Sequence, residues 1–185
     1  MKRIVIAGLL GSLMLVVWMF VVNGLFGFSS RINMKQVENE RQVYEMLKEN
    51  VTQPGIYVIN PEVTSEQRFH EGEPVYCLTY IGMGHGSAGA NMLANLVVAL
   101  IIPMTGAWLL SRASDKVLSS YPKKVLFFFV LGLLIALFSD FNKYVIDGYP
   151  LGDVLMLGAH TIVLWTLIGA VIAWRIKPST KYSMA

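Results

Sequence analysis

The sequence predicts a membrane all-α fold: a four-helix transmembrane bundle with a small α+β extracytoplasmic insertion between helices 1 and 2. Three observations lead to this fold class: few charged residues, four long apolar segments, and an uneven distribution of Lys and Arg around those segments. Charged residues make up 15% of the 185 positions and hydrophobic residues 55%, whereas about a quarter of an average soluble chain is charged. The lipid bilayer is therefore the expected surrounding of much of the chain. The small net charge of +3 favours no nucleic-acid partner.

The first apolar segment, Ile4–Phe28, contains no charged residue. At about 1.5 Å per residue it is long enough to cross a hydrocarbon core of about 30 Å. The preceding Lys2 and Arg3 are typical of a signal peptide, but the segment is much longer than a signal-peptide core and shows no Ala-x-Ala cleavage site. We therefore expect residues 1–28 to form an uncleaved N-terminal transmembrane helix.

Three later segments have the same apolar character: Gly89–Leu110, Val125–Phe138 and Val154–Trp174. The first of them contains Asn95 and Pro103, which a membrane helix tolerates when neighbouring helices satisfy the freed polar groups. The last is interrupted only by His160 and a few hydroxyl groups. We expect residues 89–185 to form a three-helix transmembrane region with a cytoplasmic tail.

The basic residues predict the orientation of the four crossings. One side of the predicted membrane carries nine of the 15 basic residues and a single acid, Asp115. The nine are Lys2, Arg3, Arg112, Lys116, Lys123, Lys124, Arg175, Lys177 and Lys181. Because Lys and Arg accumulate in cytoplasmic loops, this side is predicted to be cytoplasmic, and both chain termini lie on it.

Residues 29–88 are predicted to form the extracytoplasmic α+β segment. Apolar residues at helical spacing predict a helix over Met34–Asn50, which Pro54 and Gly55 end. Two apolar runs, Ile56–Ile59 and Val75–Ile81, are expected to pair as an antiparallel ribbon packed on this helix. The single cysteine, Cys77, lies in the second run, where we expect a packed thiol.

Several short motifs combine with this order of segments. They are Gly8-Leu9-Leu10-Gly11 with Trp18, the Glu40–Asn50 helix, Pro54-Gly55-Ile56-Tyr57 with Pro61, Asp153, and Trp165 with Gly169 and Ala173. With them the chain resembles, over nearly its whole length, a family of small uncharacterised bacterial inner-membrane proteins. It departs from that family after the third crossing, where Asp140-Phe141-Asn142-Lys143-Tyr144 replaces expected aromatic residues. The resemblance implies a bacterial inner membrane and implies no activity.

Ionisable residues at membrane depth are the candidates for a functional site. Antiparallel pairing of the last two helices places Asp140 level with His160, and Asp153 shares a helix face with His160 about 10 Å away along the axis. Since a charge in hydrocarbon costs several kcal/mol, such groups are expected to face the bundle and find partners. One hypothesis is that these three residues, with His85, form a polar track that relays a proton or holds a polar ligand. An imidazole suits proton transfer because its reference pKa is about 6.5.

A structural interpretation competes with this hypothesis. Asp140 then pairs with Lys143 in the headgroup layer, and His160 forms a hydrogen bond with a backbone carbonyl or with Thr161. Replacing His160 with Leu would distinguish the two, since a structural residue is needed for folding and a functional one for activity.

No metal, cofactor or catalytic centre is predicted. The three histidines and Cys77 lack the close spacing of zinc motifs and of covalent haem attachment. The turn from Gly84 to Ser87 lacks the Gly-x-Ser-x-Gly order that exposes a nucleophilic serine. We therefore expect no enzyme.

Pairs of small residues four positions apart occur in every predicted crossing. They are Ala7 and Gly11, Gly8 and Ser12, Ala90 and Ala94, Gly132 and Ala136, and Gly169 and Ala173. Small residues allow helix backbones to approach closely in lipid. Most are expected to pack the bundle, and the remainder to serve a homo-oligomer or a partner.

Two functions remain from the sequence. The first is a binding or accessory component of a membrane or envelope complex, supported by the absence of a catalytic motif and by an acidic external helix. The alternative is a small transporter or proton-coupled channel that uses the track of Asp140, His160 and Asp153. Internal repeats, which would favour transport, are not apparent in the sequence.

Overall fold

The computed structural model describes residues 2–33, 35–60, 72–82 and 88–178. The chain divides into two compact units, one of Met1–Met34 with Ala90–Ala185 and one of Lys35–Gly89. Within the described residues, four helices of the first unit are long and apolar enough to cross a membrane, and the second unit contains a two-stranded sheet. The predicted helical architecture and the small sheet are confirmed to this extent.

The described residues form eight α-helices and two strands. In chain order they are α1 (Lys2–Met19), α2 (Phe28–Asn33), α3 (Glu40–Asn50), β1 (Gly55–Ile59), β2 (Tyr76–Tyr80), α4 (Ala88–Ser111), α5 (Asp115–Leu118), α6 (Tyr121–Ile135), α7 (Phe141–Val145) and α8 (Leu151–Arg175). A π-helical turn, Phe20–Leu25, extends α1, and another, Ala136–Asp140, joins α6 to α7. The four candidate spans are therefore α1 with its extension, the Leu93–Ser111 part of α4, α6 through α7, and α8.

Helix α8 lies between α1 and α6 and is antiparallel to both. The Gly11 position of α1 meets Ile172 near the end of α8, whereas Trp18, further along α1, contacts His160, nearer the start of α8. Lys124, at the start of α6, donates a hydrogen bond from Nζ to the carbonyl oxygen of Ile176 over 2.8 Å. The Ser12 hydroxyl, which also donates to the Gly8 carbonyl, lies 3.3 Å from the Leu100 carbonyl oxygen of α4.

The antiparallel order also holds for α4, because the Gly8 position meets Met104 while Ser12 meets Leu100. The starts of α1 and α6 and the ends of α4 and α8 consequently lie at one end of the first unit. In the sequence, nine of the 15 basic residues flank these four helix ends.

The core of the first unit is formed by apolar residues of α1, α4, α5, α6 and α8 and by Ile176, which directly follows α8. Its buried cluster comprises Ala7, Ala107, Leu110, Leu118, Phe128, Ile168, Ile172 and Ile176. Only 22% of the most apolar window of each candidate span is buried. The outward faces of these helices therefore remain apolar, which is typical of helices surrounded by lipid.

Small residues let the helices of the first unit approach closely. A Cβ atom built on Gly169 would overlap the Phe128 side chain, and one on Gly132 would lie 2.8 Å from the Trp165 Cβ. The small pairs predicted in three crossings are buried: Ala7 and Gly11, Gly8 and Ser12, Gly132 and Ala136, Gly169 and Ala173. The packing role predicted for them is confirmed, whereas Ala94 in α4 is exposed.

The second unit contains α3 and the ribbon of β1 and β2. The strands pair antiparallel with Tyr57 opposite Leu78 and Val58 opposite Cys77, and the predicted pairing of the two runs is confirmed. Side chains of α3 and β2 line one open groove of about 630 Å³. His85, which the sequence assigns to the polar track, lies outside the described residues.

Two predictions for the second unit are wrong. Helix α3 begins at Glu40 and not at Met34, because Asn39 adopts a left-handed backbone conformation with φ of 59° that helix residues cannot share. Asparagine tolerates this conformation better than most residues, and its carbonyl accepts the backbone N–H groups of Gln42 and Val43. The Cys77 thiol, predicted to be packed, is exposed.

Candidate functional site

A hydrogen bond between two aromatic side chains joins the first and last candidate spans. Trp18 of α1 donates from Nε1 to Nε2 of His160 in α8 over 3.0 Å. The indole can only donate, so Nε2 must be the acceptor and a neutral imidazole carries its proton on Nδ1. His160 consequently faces the bundle, where it holds α1 against α8.

The imidazole of His160 also stacks with two aromatic rings, those of Phe28 and Trp18. The Phe28 ring lies 5.0 Å from it, centroid to centroid, at an interplanar angle of 25°. The Trp18 ring lies 6.0 Å away at 28°. Phe28 is the first residue of α2 and follows Gly27, whose positive φ of 60° turns the chain after the π-helical extension of α1. The turn thus brings an aromatic ring back onto the histidine.

Asp140 is a buried acidic residue of the first unit, with only 5% of its surface exposed. Its Oδ2 accepts a hydrogen bond from the Thr161 hydroxyl of α8 over 2.7 Å. Its Oδ1 lies 3.4 Å from Nζ of Lys143, whose side chain is one-third exposed. The carboxylate therefore has a partner on the facing helix and a cation one turn further along its own chain.

The π-helical turns lie beside these two polar contacts. Phe20–Leu25 directly follows the Trp18 turn, and Ala136–Asp140 ends at the buried carboxylate. A π-helical turn inserts an extra residue and changes the direction of the side chains that follow. The two insertions therefore set the rotation with which Phe28 and Asp140 meet α8.

The four sequence-predicted site residues have different surroundings. Asp140 is level with His160 as predicted, but its hydrogen bond goes to the next residue, Thr161. His160 points to α1. Asp153 lies in the first turn of α8 and is half-buried. His85 lies outside the described residues.

The arrangement is able to do two things chemically. The carboxylate of Asp140 accepts hydrogen bonds and holds a cation, and the His160 imidazole accepts one proton donor while keeping its own proton on Nδ1. Among the residues that the structure describes, no group of three or more His, Cys, Asp or Glu side chains could hold a metal ion. Whether Asp140, His160, Asp153 and His85 act together as a track stays a prediction.

Comparison with known proteins adds no relative. No family model, no curated protein and no solved structure matches this chain. The resemblance to a family of small bacterial inner-membrane proteins accordingly stays a prediction.

Sequence reasoning missed three contacts of the candidate site. Trp18 and Phe28 contact His160, and Thr161 binds Asp140 instead of the adjacent histidine. One signal was present for Thr161, because the antiparallel register that pairs Asp140 with His160 also reaches the next residue. No signal identified Trp18 as the donor, since hydropathy does not report the rotation of α1 about its axis.

Proposed function

We propose that the chain is a multi-pass protein of a bacterial inner membrane with both termini in the cytoplasm. The support comes from charge and from helix direction together. Nine basic residues and one acid flank the helix ends at one end of the first unit, where both the start of α1 and the end of α8 lie. That end faces the cytoplasm under the positive-inside rule, and residues 35–89 lie on the opposite side of the membrane.

Within this membrane the protein acts as a binding or accessory component of a membrane or envelope complex, and not as an enzyme. One observation carries this proposal: none of the described residues of the second unit is buried, although many are apolar. The exposed large apolar side chains are Val37, Tyr44, Met46, Ile56, Val58, Ile59, Val75, Tyr76 and Ile81. So much apolar surface on so small a unit is characteristic of a binding surface.

The outward face of the ribbon is the part of this surface with the most regular order. Ile56 and Val58 alternate along β1 with 74% and 60% of their surfaces exposed. Cys77 and Thr79 lie opposite them on β2 and share their face. Residues 35–89 as a whole carry eight acids and four bases. The partner is accordingly a membrane or envelope protein with an apolar patch bordered by Lys and Arg.

The single cysteine lies on this face and provides the test. A photoactivatable maleimide attached to Cys77 in intact cells is expected to give one discrete crosslinked product, identified by mass spectrometry. Val58→Asp should abolish the product, because it places a carboxylate in the apolar patch. Gln42→Asp on α3 is the control, since it adds the same charge at an exposed position away from the ribbon.

A product that forms equally well with Val58→Asp, or no product at all, contradicts the proposed binding surface. A product containing only two copies of this chain assigns the face to a homo-oligomer.

The alternative function, a small transporter or proton-coupled channel, is favoured by one contact. The nearly buried Asp140 carboxylate is bound by Thr161, the residue next to His160. This alternative requires that the protein in liposomes dissipate a proton gradient and that Asp140→Asn abolish the flux. The exposed Asp147→Asn exchange serves as its control, because it removes the same charge outside the bundle.

A further inference from the structure

An open groove of about 490 Å³ runs along the exposed surface of α6. Two lysines and apolar side chains, most of them from α6, line this groove. Leu126, Val130 and Leu134 are spaced four apart and form one exposed stripe. Phe127 and Leu131 form a second, half-buried row beside it. The groove therefore has continuous apolar walls along the helix axis.

Both polar residues of the groove are lysines, and both lie at the same end. Lys123 is in the first turn of α6, and Lys116 belongs to the short helix α5 that precedes it. Within the described residues neither ammonium group forms an ion pair or a side-chain hydrogen bond. Lys124, by contrast, is turned inward and donates to the Ile176 carbonyl. Of the two adjacent lysines, Lys124 therefore binds the end of α8, whereas Lys123 faces the groove.

The dimensions match one leaflet of a bilayer. From residue 123 to residue 134 the groove follows α6 for about 16 Å, and half of a hydrocarbon core is about 15 Å thick. We propose that this groove binds one anionic phospholipid of the cytoplasmic leaflet. Its phosphate lies between Lys116 and Lys123, and an acyl chain follows the stripe of Leu126, Val130 and Leu134.

The charges around the lysines favour an anion at this position. Asp115 is the single acid among the nine bases on this side of the sequence, and it precedes Lys116 in the chain. The amino-terminal end of α6 adds partial positive charge, because its first backbone N–H groups have no partner within the helix. A zwitterionic phospholipid offers the same acyl chains but cancels the attraction with its own cation. The site therefore discriminates by headgroup charge.

The inference rests on the membrane placement and orientation proposed above. Native mass spectrometry of the full-length protein in mild detergent tests it, with added phosphatidylglycerol compared with phosphatidylcholine of identical acyl chains. We expect one phosphatidylglycerol molecule to bind preferentially. Lys116→Gln with Lys123→Gln should weaken that binding about 25-fold, since each lysine near a headgroup contributes about fivefold.

Two further variants separate the groove from general surface charge. Val130→Trp keeps every charge and fills the apolar channel, so it should also weaken phosphatidylglycerol binding by about tenfold or more. Lys2→Gln with Arg3→Gln removes the same charge at the same end of the bundle but outside the groove, and it should change binding less than about twofold. Circular dichroism confirms that each variant keeps its helices.

Three outcomes overturn the inference. Equal losses in the groove and control variants show that phosphatidylglycerol binds to the basic surface in general. Equal binding of phosphatidylcholine excludes recognition of the headgroup charge. If the full-length chain needs no detergent to stay in solution, the membrane placement itself is wrong, and that result is distinguishable from a wrong groove in an otherwise membrane-bound protein.

Discussion

The bond between Trp18 and His160 shows how single residues meet the demands of an apolar environment. An unpaired indole N–H or imidazole nitrogen costs free energy in hydrocarbon, where no water is at hand. Here each group satisfies the other over 3.0 Å, and the Phe28 ring covers the imidazole. The pair therefore joins two helices through groups that would otherwise oppose burial.

The strength of this contact is measurable with a double-mutant cycle. Trp18→Phe keeps an aromatic ring but removes the donor, and His160→Leu removes the acceptor. We expect a coupling free energy of about 0.6 to 1.7 kcal/mol, which lies between the average and the maximum measured for hydrogen bonds between membrane helices. Unfolding in mixed micelles provides the measurement. Additive effects of the two exchanges would show that the bond contributes nothing to stability.

Among single residues, the sequence predicted the level of the polar contacts but not the partners. The antiparallel register of α6 and α8 follows from the connection between them, so Asp140 could be placed beside His160. Which neighbour receives the bond depends on about 100° of rotation per residue around α8, and only packing decides it. The exposure of Cys77 was missed because apolar residues occur on both faces of β2, so the pattern does not show which face is covered. Cys77 lies on a face of the ribbon that no other element of the described residues covers.

At the scale of helices, the packing of α8 depends on positions where its neighbours leave no room for a side chain. Gly169 lies against Phe128, which is fully buried, and Gly132 lies against Trp165. Aromatic rings on one helix thus fill the space left by glycines on the next. Packing of a large side chain against a glycine gives the close van der Waals contact that drives helix association in lipid.

Gly169→Val is expected to destabilise the bundle by about 3 kcal/mol or more, because overpacking of a tight interface forces backbone shifts. Phe128→Ala alone should also destabilise the bundle, because Phe128 is fully buried. The double variant should lose less stability than the sum of the two single losses, since the two positions share one contact. Free energies of unfolding in mixed micelles report both effects. Gly152→Ala in the same helix is the control, because a Cβ there meets nothing within 4 Å. A Gly169 variant as stable as the control would contradict this packing.

Helices and strands could be predicted where a long apolar segment or an alternation of apolar residues marks them in the sequence. Long apolar segments predicted α1, α4, α6 and α8, and alternation predicted the pairing of β1 with β2. The start of α3 could not be predicted, because it depends on the left-handed conformation of Asn39. The π-helical turns were missed as well, since hydropathy is insensitive to one inserted residue.

For the whole molecule, the proposed membrane topology depends on the direction of the four long helices and on the charges at their ends. The positions of α1, α4, α6 and α8 put the start of the first helix and the end of the last at one end of the first unit. Under the positive-inside rule the charge distribution favours the cytoplasm for that end. The proposed topology then puts residues 35–89 on the other side.

Cysteine labelling distinguishes the two orientations. In spheroplasts, a membrane-impermeant maleimide is expected to label Cys77, which is exposed and belongs to the second unit. A Cys77→Ser variant with Ser114→Cys should be labelled only after the membrane is permeabilised. Labelling of position 114 in sealed spheroplasts, with Cys77 protected, would reverse the proposed topology.

The contact between Trp18 and His160 also has a consequence for biosynthesis, because it spans 142 residues of the chain. At about 5 to 20 residues per second, a ribosome needs roughly 7 to 28 s to add the histidine after the tryptophan has been made. Under the proposed topology, the nascent α1 is in the membrane during that interval without its final neighbour. Release of a chain that stops before α8 leaves the indole unmatched, and such truncated products are expected to be recognised by membrane proteases.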